Sequence, residues 1–147
     1  MGALISFVGM TSSITFIGFG EAAQAFASAP GWNGAARAYD IKTDHPELRN
    51  SKISDYAANK VSGCDSLGEA LAGASQIFSL VTADQAQPAA EAAARTLPAD
   101  ALFIDMNSVA PDTKRENARI VEAAGGRYVD VAVMAPVHPK RLAVPLL

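Results

Sequence analysis

The sequence predicts an α/β fold: a doubly wound, mainly parallel sheet with helices on both faces. Three observations predict it. Short apolar, β-like runs alternate along the chain with helix-like segments long enough to cross back over a sheet. The first run, Ile14-Thr15-Phe16-Ile17, feeds directly into Gly18-Phe19-Gly20-Glu21-Ala22-Ala23, which opens an alanine-rich helical pattern. The second run, Ala38-Tyr39-Asp40, closes on an acid twenty residues after Gly20.

The elements follow in order. Residues 1–13 read as an N-terminal extension with an apolar stretch, Gly2–Gly9, that has no place in the β–α alternation, the alternative being an added edge strand or a cover for an exposed apolar patch. Its Met10 stands just before the first strand, and the extension reads as dispensable. Thr15–Ile17 forms the core of the first strand and Glu21–Ser28 the first helix, broken by Ala29-Pro30-Gly31-Trp32-Asn33-Gly34. Ala36–Asp40 is the second strand, Lys42–Asn50 a polar stretch, Ile53–Asn59 a helix and Val61–Ser62 a short third strand. Ser66 with Glu69 spells a capping box for a helix over Leu67–Ala72. Gln76–Thr82 reads as a buried strand, and Asp84 as the cap of a helix over Gln85–Thr96. Ala101–Ile104 is the fifth strand. Pro111 suits the first turn of a helix that runs to Ala124 and stops at Gly125-Gly126. Tyr128–Val133 is the sixth strand.

A Gly-x-Gly-x-x-Ala turn between a strand and a helix is the phosphate loop of a Rossmann-type dinucleotide-binding domain. Gly18 permits the tight turn, Gly20 admits a pyrophosphate close to bare backbone, and Ala23 lets the helix pack on the strand. The helix N-terminus offers N–H groups and partial positive charge to the phosphates. Asp40 is placed to accept both hydroxyls of the adenosine ribose and to repel a 2′-phosphate, which favours NAD; Lys42, two residues on, leaves NADP open. In such sheets ligands bind beyond the carboxyl ends of the strands, which directs attention to Gly18–Ala22, Asp40, Val81–Thr82, Asp105–Ser108 and Asp130–Met134.

Composition agrees with one such domain. The chain of 147 residues is long enough for a proper core, and half of it is hydrophobic. Thirty of those residues are alanines, which pack helices closely on a sheet. A net charge of -3 advertises no nucleic-acid surface. A single cysteine, Cys64, rules out an intrachain disulfide and suits a reducing, cytoplasmic compartment. No apolar run approaches the roughly 18 residues of a membrane span. The first basic residue is Arg37, which does not fit a secretory signal.

Other signals read more plainly. Tyr56-Ala57-Ala58-Asn59-Lys60 spells the Tyr-x-x-x-Lys of short-chain dehydrogenases, but it lies too early in the chain and reads as an ordinary i,i+4 pair. Lys114, Arg115 and Arg119 read as a solvated helix face, His45 and His138 as polar surface, and Cys64 as a small packed group. No spaced set of Cys, His and acids supports a metal site.

Four elements in order resemble the N-terminal NAD-binding domain of the β-hydroxyacid dehydrogenases, the family of 3-hydroxyisobutyrate and 6-phosphogluconate dehydrogenases. They are Gly18-Phe19-Gly20, Asp40, the run Asp105-Met106-Asn107-Ser108-Val109-Ala110-Pro111, and Asp130-Val131-Ala132-Val133-Met134. The family usually writes the third as Asp-x-Ser-Thr-x-x-Pro and the fourth as Asp-Ala-Pro-Val-Ser-Gly-Gly. Asn107-Ser108 therefore replaces Ser-Thr, Met134 stands at the substrate-binding serine, and Ala135-Pro136 replaces Gly-Gly. The resemblance implies a cofactor site of Gly18, Phe19, Gly20, Glu21, Ala22 and Asp40, with Val81, Thr82 and Asn107 toward the nicotinamide. It implies substrate contacts at Val133 and Met134, and a Rossmann domain over residues 14–135. Residues 136–147 would begin the connection to a C-terminal helical domain carrying the catalytic lysine and the homo-oligomer contacts. The implied activity is hydride transfer between NAD, or NADP, and a small hydroxy acid, with this chain alone inactive. The competing readings are a non-catalytic nucleotide-binding or regulatory module, and more remotely a flavin- or S-adenosylmethionine-binding domain.

Overall fold

The computed structural model describes residues 13–29 and 36–133. Within them lie six strands, β1 (Ile14–Ile17), β2 (Ala36–Tyr39), β3 (Ser62–Gly63), β4 (Gln76–Ser79), β5 (Leu102–Asp105) and β6 (Arg127–Asp130). Five α-helices alternate with them: α1 (Glu21–Ala27), α2 (Pro46–Ala58), α3 (Leu67–Leu71), α4 (Ala86–Ala94) and α5 (Pro111–Ala123). All strand pairs are parallel, in the order β3-β2-β1-β4-β5-β6. The chain works outward from β1 to one edge, then returns to build the other half. The order therefore reverses between β1 and β4, which opens a crevice at their carboxyl ends.

Strand periodicity assigns the two faces. In β1, Phe16 points to one side, where it packs with Phe19, Ala23 and Phe26 around α1, and with Tyr56 of α2. Ile17 points to the other, with Leu71 of α3, Ala90 and Ala93 of α4, Phe103 of β5 and Val121 of α5. The doubly wound architecture expected from the sequence is thus observed. The alanines let helix backbones approach the sheet: Ala90 and Ala93 are fully buried.

Several boundaries differ from expectation, each for a local reason. α2 begins at Pro46, well before Ile53, because proline fits the first helical turn, where its missing N–H is no loss. The preceding Ile41–Asp44 is a 3₁₀ turn capped by Asp40, whose side chain accepts from the Lys42 N–H. β4 ends at Ser79 rather than Thr82, and β6 at Asp130 rather than Val133, as the chain leaves the ladder at the crevice. The third strand pairs through Ser62–Gly63 rather than Val61–Ser62. Gly63 is required there, because a Cβ would lie 2.1 Å from the Tyr56 ring. Asp84 caps no helix; it lies inside a 3₁₀ turn, Ala83–Gln85, that precedes α4. Ser66 does cap α3, accepting from the Glu69 N–H at 3.1 Å, while Glu69 reaches back to the N–H of Asp65. Lys60 lies beyond the end of α2 with a positive φ of 55°, so it does not pair with Tyr56 along the helix. Ser13, read with the extension, is hydrogen-bonded to Gly73 and Ser75 and leads straight into β1. The rest of that extension, Trp32, Met134, His138 and the expected connection over 136–147 lie outside the described residues.

Candidate functional site

A cleft of about 690 Å³ opens at the strand order's reversal point. Its floor is the turn after β1. Gly18 has φ +84°, and a Cβ there would stand 2.2 Å from the carbonyl oxygen of Leu80, so only glycine lets the β1 and β4 exits lie this close. Gly20 differs: a Cβ built on it meets nothing within 4 Å. Open space over bare backbone is the cradle that a pyrophosphate requires. α1 starts at once after Gly20, and no side chain caps it. The residues present fit a dinucleotide.

The turn is held from beneath. Asp40, at the end of β2, is buried, yet it lines the cleft. Its Oδ2 accepts from the Phe19 N–H at 2.8 Å and its Oδ1 from the Lys42 N–H at 2.9 Å. The Asp40 N–H in turn donates to the Tyr56 hydroxyl at 2.9 Å. Burial pushes that hydroxyl up to about 12, against the opposing bond from Asp40, so it stays protonated. Lys52 of α2, also buried, donates to the Phe19 carbonyl at 2.7 Å. The sequence singles out Asp40 but not its link to α2, for which the only local signal is that Lys52, Asp55, Tyr56 and Asn59 are spaced to share one helix face. The Phe19 side chain is fully buried against Phe16 and Tyr56, so only the backbone of this residue is available on the side of the cleft.

The opposite end is built on Asp105, which closes β5 with no exposure. Oδ1 accepts from the N–H and side-chain amide of Asn107 and from Lys114 Nζ; Oδ2 accepts from Asn117 Nδ2 and the Tyr128 hydroxyl. Burial opposes ionisation, but the bonds from Tyr128, Asn107 and Asn117 and the Lys114 charge outweigh it. They hold the carboxyl below the usual range. Burial and Asp105 together push the Tyr128 hydroxyl far up. Lys114, expected on a solvated face, is instead buried; it also bonds the Asp105 carbonyl and pairs with Asp130 at 2.8 Å. One turn of α5 beyond Pro111 turns it inward, where two carboxylates repay its desolvation. Arg115 and Arg119 do lie outward, pairing with Asp112 and Glu116.

Asn107 carries this network to the cleft. Its Nδ2 also donates to Ser79 Oγ, and its Oδ1 accepts from the Val81 N–H at 2.7 Å. The structure thus brings Gly18, Gly20, Glu21, Ala22, Asp40, Val81, Thr82, Asn107 and Val133 to one cleft. His45 and Cys64 are elsewhere: His45 is exposed ahead of α2, and Cys64 is a buried thiol. Among the described residues no group of His, Cys, Asp and Glu could hold a metal ion, and no helix is long and apolar enough to cross a membrane.

Comparison with known proteins agrees with this geometry. A family model described as the NAD binding domain of 6-phosphogluconate dehydrogenase matches residues 13–137. A conserved hypothetical protein from Sinorhizobium meliloti is 38% identical with a TM-score of 0.88, over 97% of this chain and 48% of that one. A conserved protein described as structurally similar to 3-hydroxyacid dehydrogenases is 26% identical with a TM-score of 0.71, over 90% of this chain and 48% of that one. The 3-hydroxyisobutyrate dehydrogenase of Mycobacterium tuberculosis shares the fold at a TM-score of 0.74 and 24% identity, over 87% of this chain and 42% of that one. A search among curated proteins gives no match. The chain spans about half the length of the solved structures it matches. By its matched sequence and its glycine-loop cleft alike, the chain belongs to the family of the NAD-binding domain of 6-phosphogluconate dehydrogenase.

Proposed function

We propose that this chain is the cofactor-binding part of an oxidoreductase that moves a hydride between NAD and a small hydroxy acid. The observation that carries the reading is the contrast between Gly18, locked against Leu80, and Gly20, open toward the cleft at the start of an uncapped helix. The backbone of Gly18–Ala22 would hold the pyrophosphate, Asp40 the adenosine ribose, and Val81, Thr82 and Asn107 the nicotinamide side. Bound NAD supplies the hydride acceptor. The residues of this chain position it: Asn107 fixes the Val81 peptide, and Lys114 ties the end of β6 to β5, just ahead of Val133 at the cleft. Such positioning is what hydride transfer asks of this part of the protein.

Substrate would approach beside Val133, with Met134 following. Among the described residues that line that end, Val81, Thr82, Asn107, Ser108 and Val133, none is an acid or base, and the resemblance assigns the hydroxyl proton to a lysine of a C-terminal helical domain. The same observation favours a second reading, a nucleotide-binding module without turnover. A homo-oligomeric protein with a C-terminal helical domain, as the resemblance implies, completes the first reading, and the single, buried Cys64 thiol supports a reducing, cytoplasmic compartment.

Calorimetric titration with NADH and NADPH tests the assignment. NADH is expected to bind more tightly, since Asp40 faces the ribose; a tenfold preference for NADPH, about 1.4 kcal/mol, would overturn that role. The chain alone is expected to bind NADH, and, supplied with NAD+, to oxidise no hydroxy acid. Turnover that appears on adding the downstream region separates an enzyme from a module.

A further inference from the structure

The buried ammonium of Lys52 is absorbed by none of the roles above. It donates to the Phe19 carbonyl at 2.7 Å, lies 3.0 Å from Asp55 Oδ2 and 3.9 Å from Asp40 Oδ2. Its side chain is 7% exposed, against 33% for Asp55. The two peptide groups flanking Phe19 are thus both held, the Phe19 N–H by Asp40 and the Phe19 C=O by Lys52, with Gln24 Nε2 adding a bond to the same oxygen at 3.1 Å. Two consequences follow. The grip fixes the turn on which pyrophosphate would lie. The charge sets what Asp40 presents to the ribose: Asp40, Asp55 and Lys52 sum to one net negative charge rather than two.

We propose that Lys52 is a positioning and specificity-determining residue of the dinucleotide site, holding the Gly18–Gly20 turn and tempering the negative charge that a 2′-phosphate meets at Asp40. The proposal rests on the NAD reading of the cleft. A 2′-phosphate carries extra negative charge, so its affinity responds to each charge lost or gained here, whereas that of NADH responds mainly to the geometry of the turn.

The test is titration of the 147-residue chain and three variants with NADH and NADPH at low ionic strength, where screening is weak. Unfolding midpoints are measured alongside. Lys52→Met is expected to weaken both nucleotides, and NADPH by about threefold or more beyond NADH. Asp55→Asn, on a partly exposed side chain, removes a negative charge and is expected to shift the ratio the opposite way. Lys52→Arg keeps the charge and is expected to return the ratio toward that of the wild type. A purely structural lysine would not give opposite shifts from Lys52→Met and Asp55→Asn. Ratios that stay put, or move together, overturn the proposal while leaving NAD binding intact. Should Lys52→Met not fold, an Asp55→Asn ratio equal to the wild type is sufficient to overturn it. A wild type that binds neither nucleotide overturns the cofactor reading itself, and this proposal with it.

Discussion

Each end of the cleft rests on an aspartate that closes a buried strand, and the two are satisfied to different degrees. Asp40 accepts two backbone N–H bonds, has a lysine at 3.9 Å, and keeps 8% of its surface at the cleft. Asp105 accepts five bonds and keeps none. A carboxylate offers about four lone-pair directions. Asp40 retains capacity for a ligand hydroxyl; Asp105 has spent its own on the protein. The same residue type at equivalent strand ends therefore differs in what it leaves open: Asp40 keeps a face toward the cleft, whereas Asp105 is turned wholly to bracing the residues that line it.

The sharpest way to break this contrast is Asp105→Ala. It strands the amides of Asn107 and Asn117 and half of Lys114's pairing, and the expected loss is about 3–5 kcal/mol in urea unfolding. Acid should reveal the same group. Because its folded carboxyl is held below the unfolded value of about 3.9, its contribution is complete above that pH and fades as pH falls through the lower folded value. Wild-type stability measured from pH 6 down to 2 should show this decline, and Asp105→Ala should lack it.

At the other end, Gly20→Val is expected to remove NADH binding while the unfolding midpoint holds, because the new side chain enters only the open cradle. Undiminished NADH affinity in a folded variant would take the turn out of the site. Asp40→Ala should narrow the gap between NADH and NADPH by about tenfold. If Asp40 matters only as a brace for Phe19, both affinities fall together and the gap stays. The smallest effect is expected for Tyr128→Phe, which deletes one bond to Asp105 and should cost about 1 kcal/mol, with NADH affinity unchanged.

Legibility followed the range of the interaction. The glycine turn, the alternating elements and the capping box at Ser66 were readable because each is set by residues within a few positions of one another. Lys114 is not legible in this way: i,i+3 neighbours such as Asp112–Arg115 suggest a charged outer face, and only the contact of α5 with the end of β5 shows that position 114 turns inward. Lys52 passed unmarked for a similar reason: its partner Phe19 lies 33 residues earlier. Pro46, by contrast, was a local signal for the start of α2 that the polar run around it obscured.

By itself the sequence determined the doubly wound fold, the glycine turn after β1 and the acid after β2, because glycine freedom, strand period and helix capping are local properties of the chain. Tertiary structure decided that Gly18 has no space for a side chain while Gly20 does, since the neighbouring β4 exit closes over Gly18 in addition to the strain its positive φ would already impose. It also decided which charges are buried. Desolvating a lysine is tolerable only where carboxylates and carbonyls from distant segments converge on it, and no stretch of sequence contains that convergence.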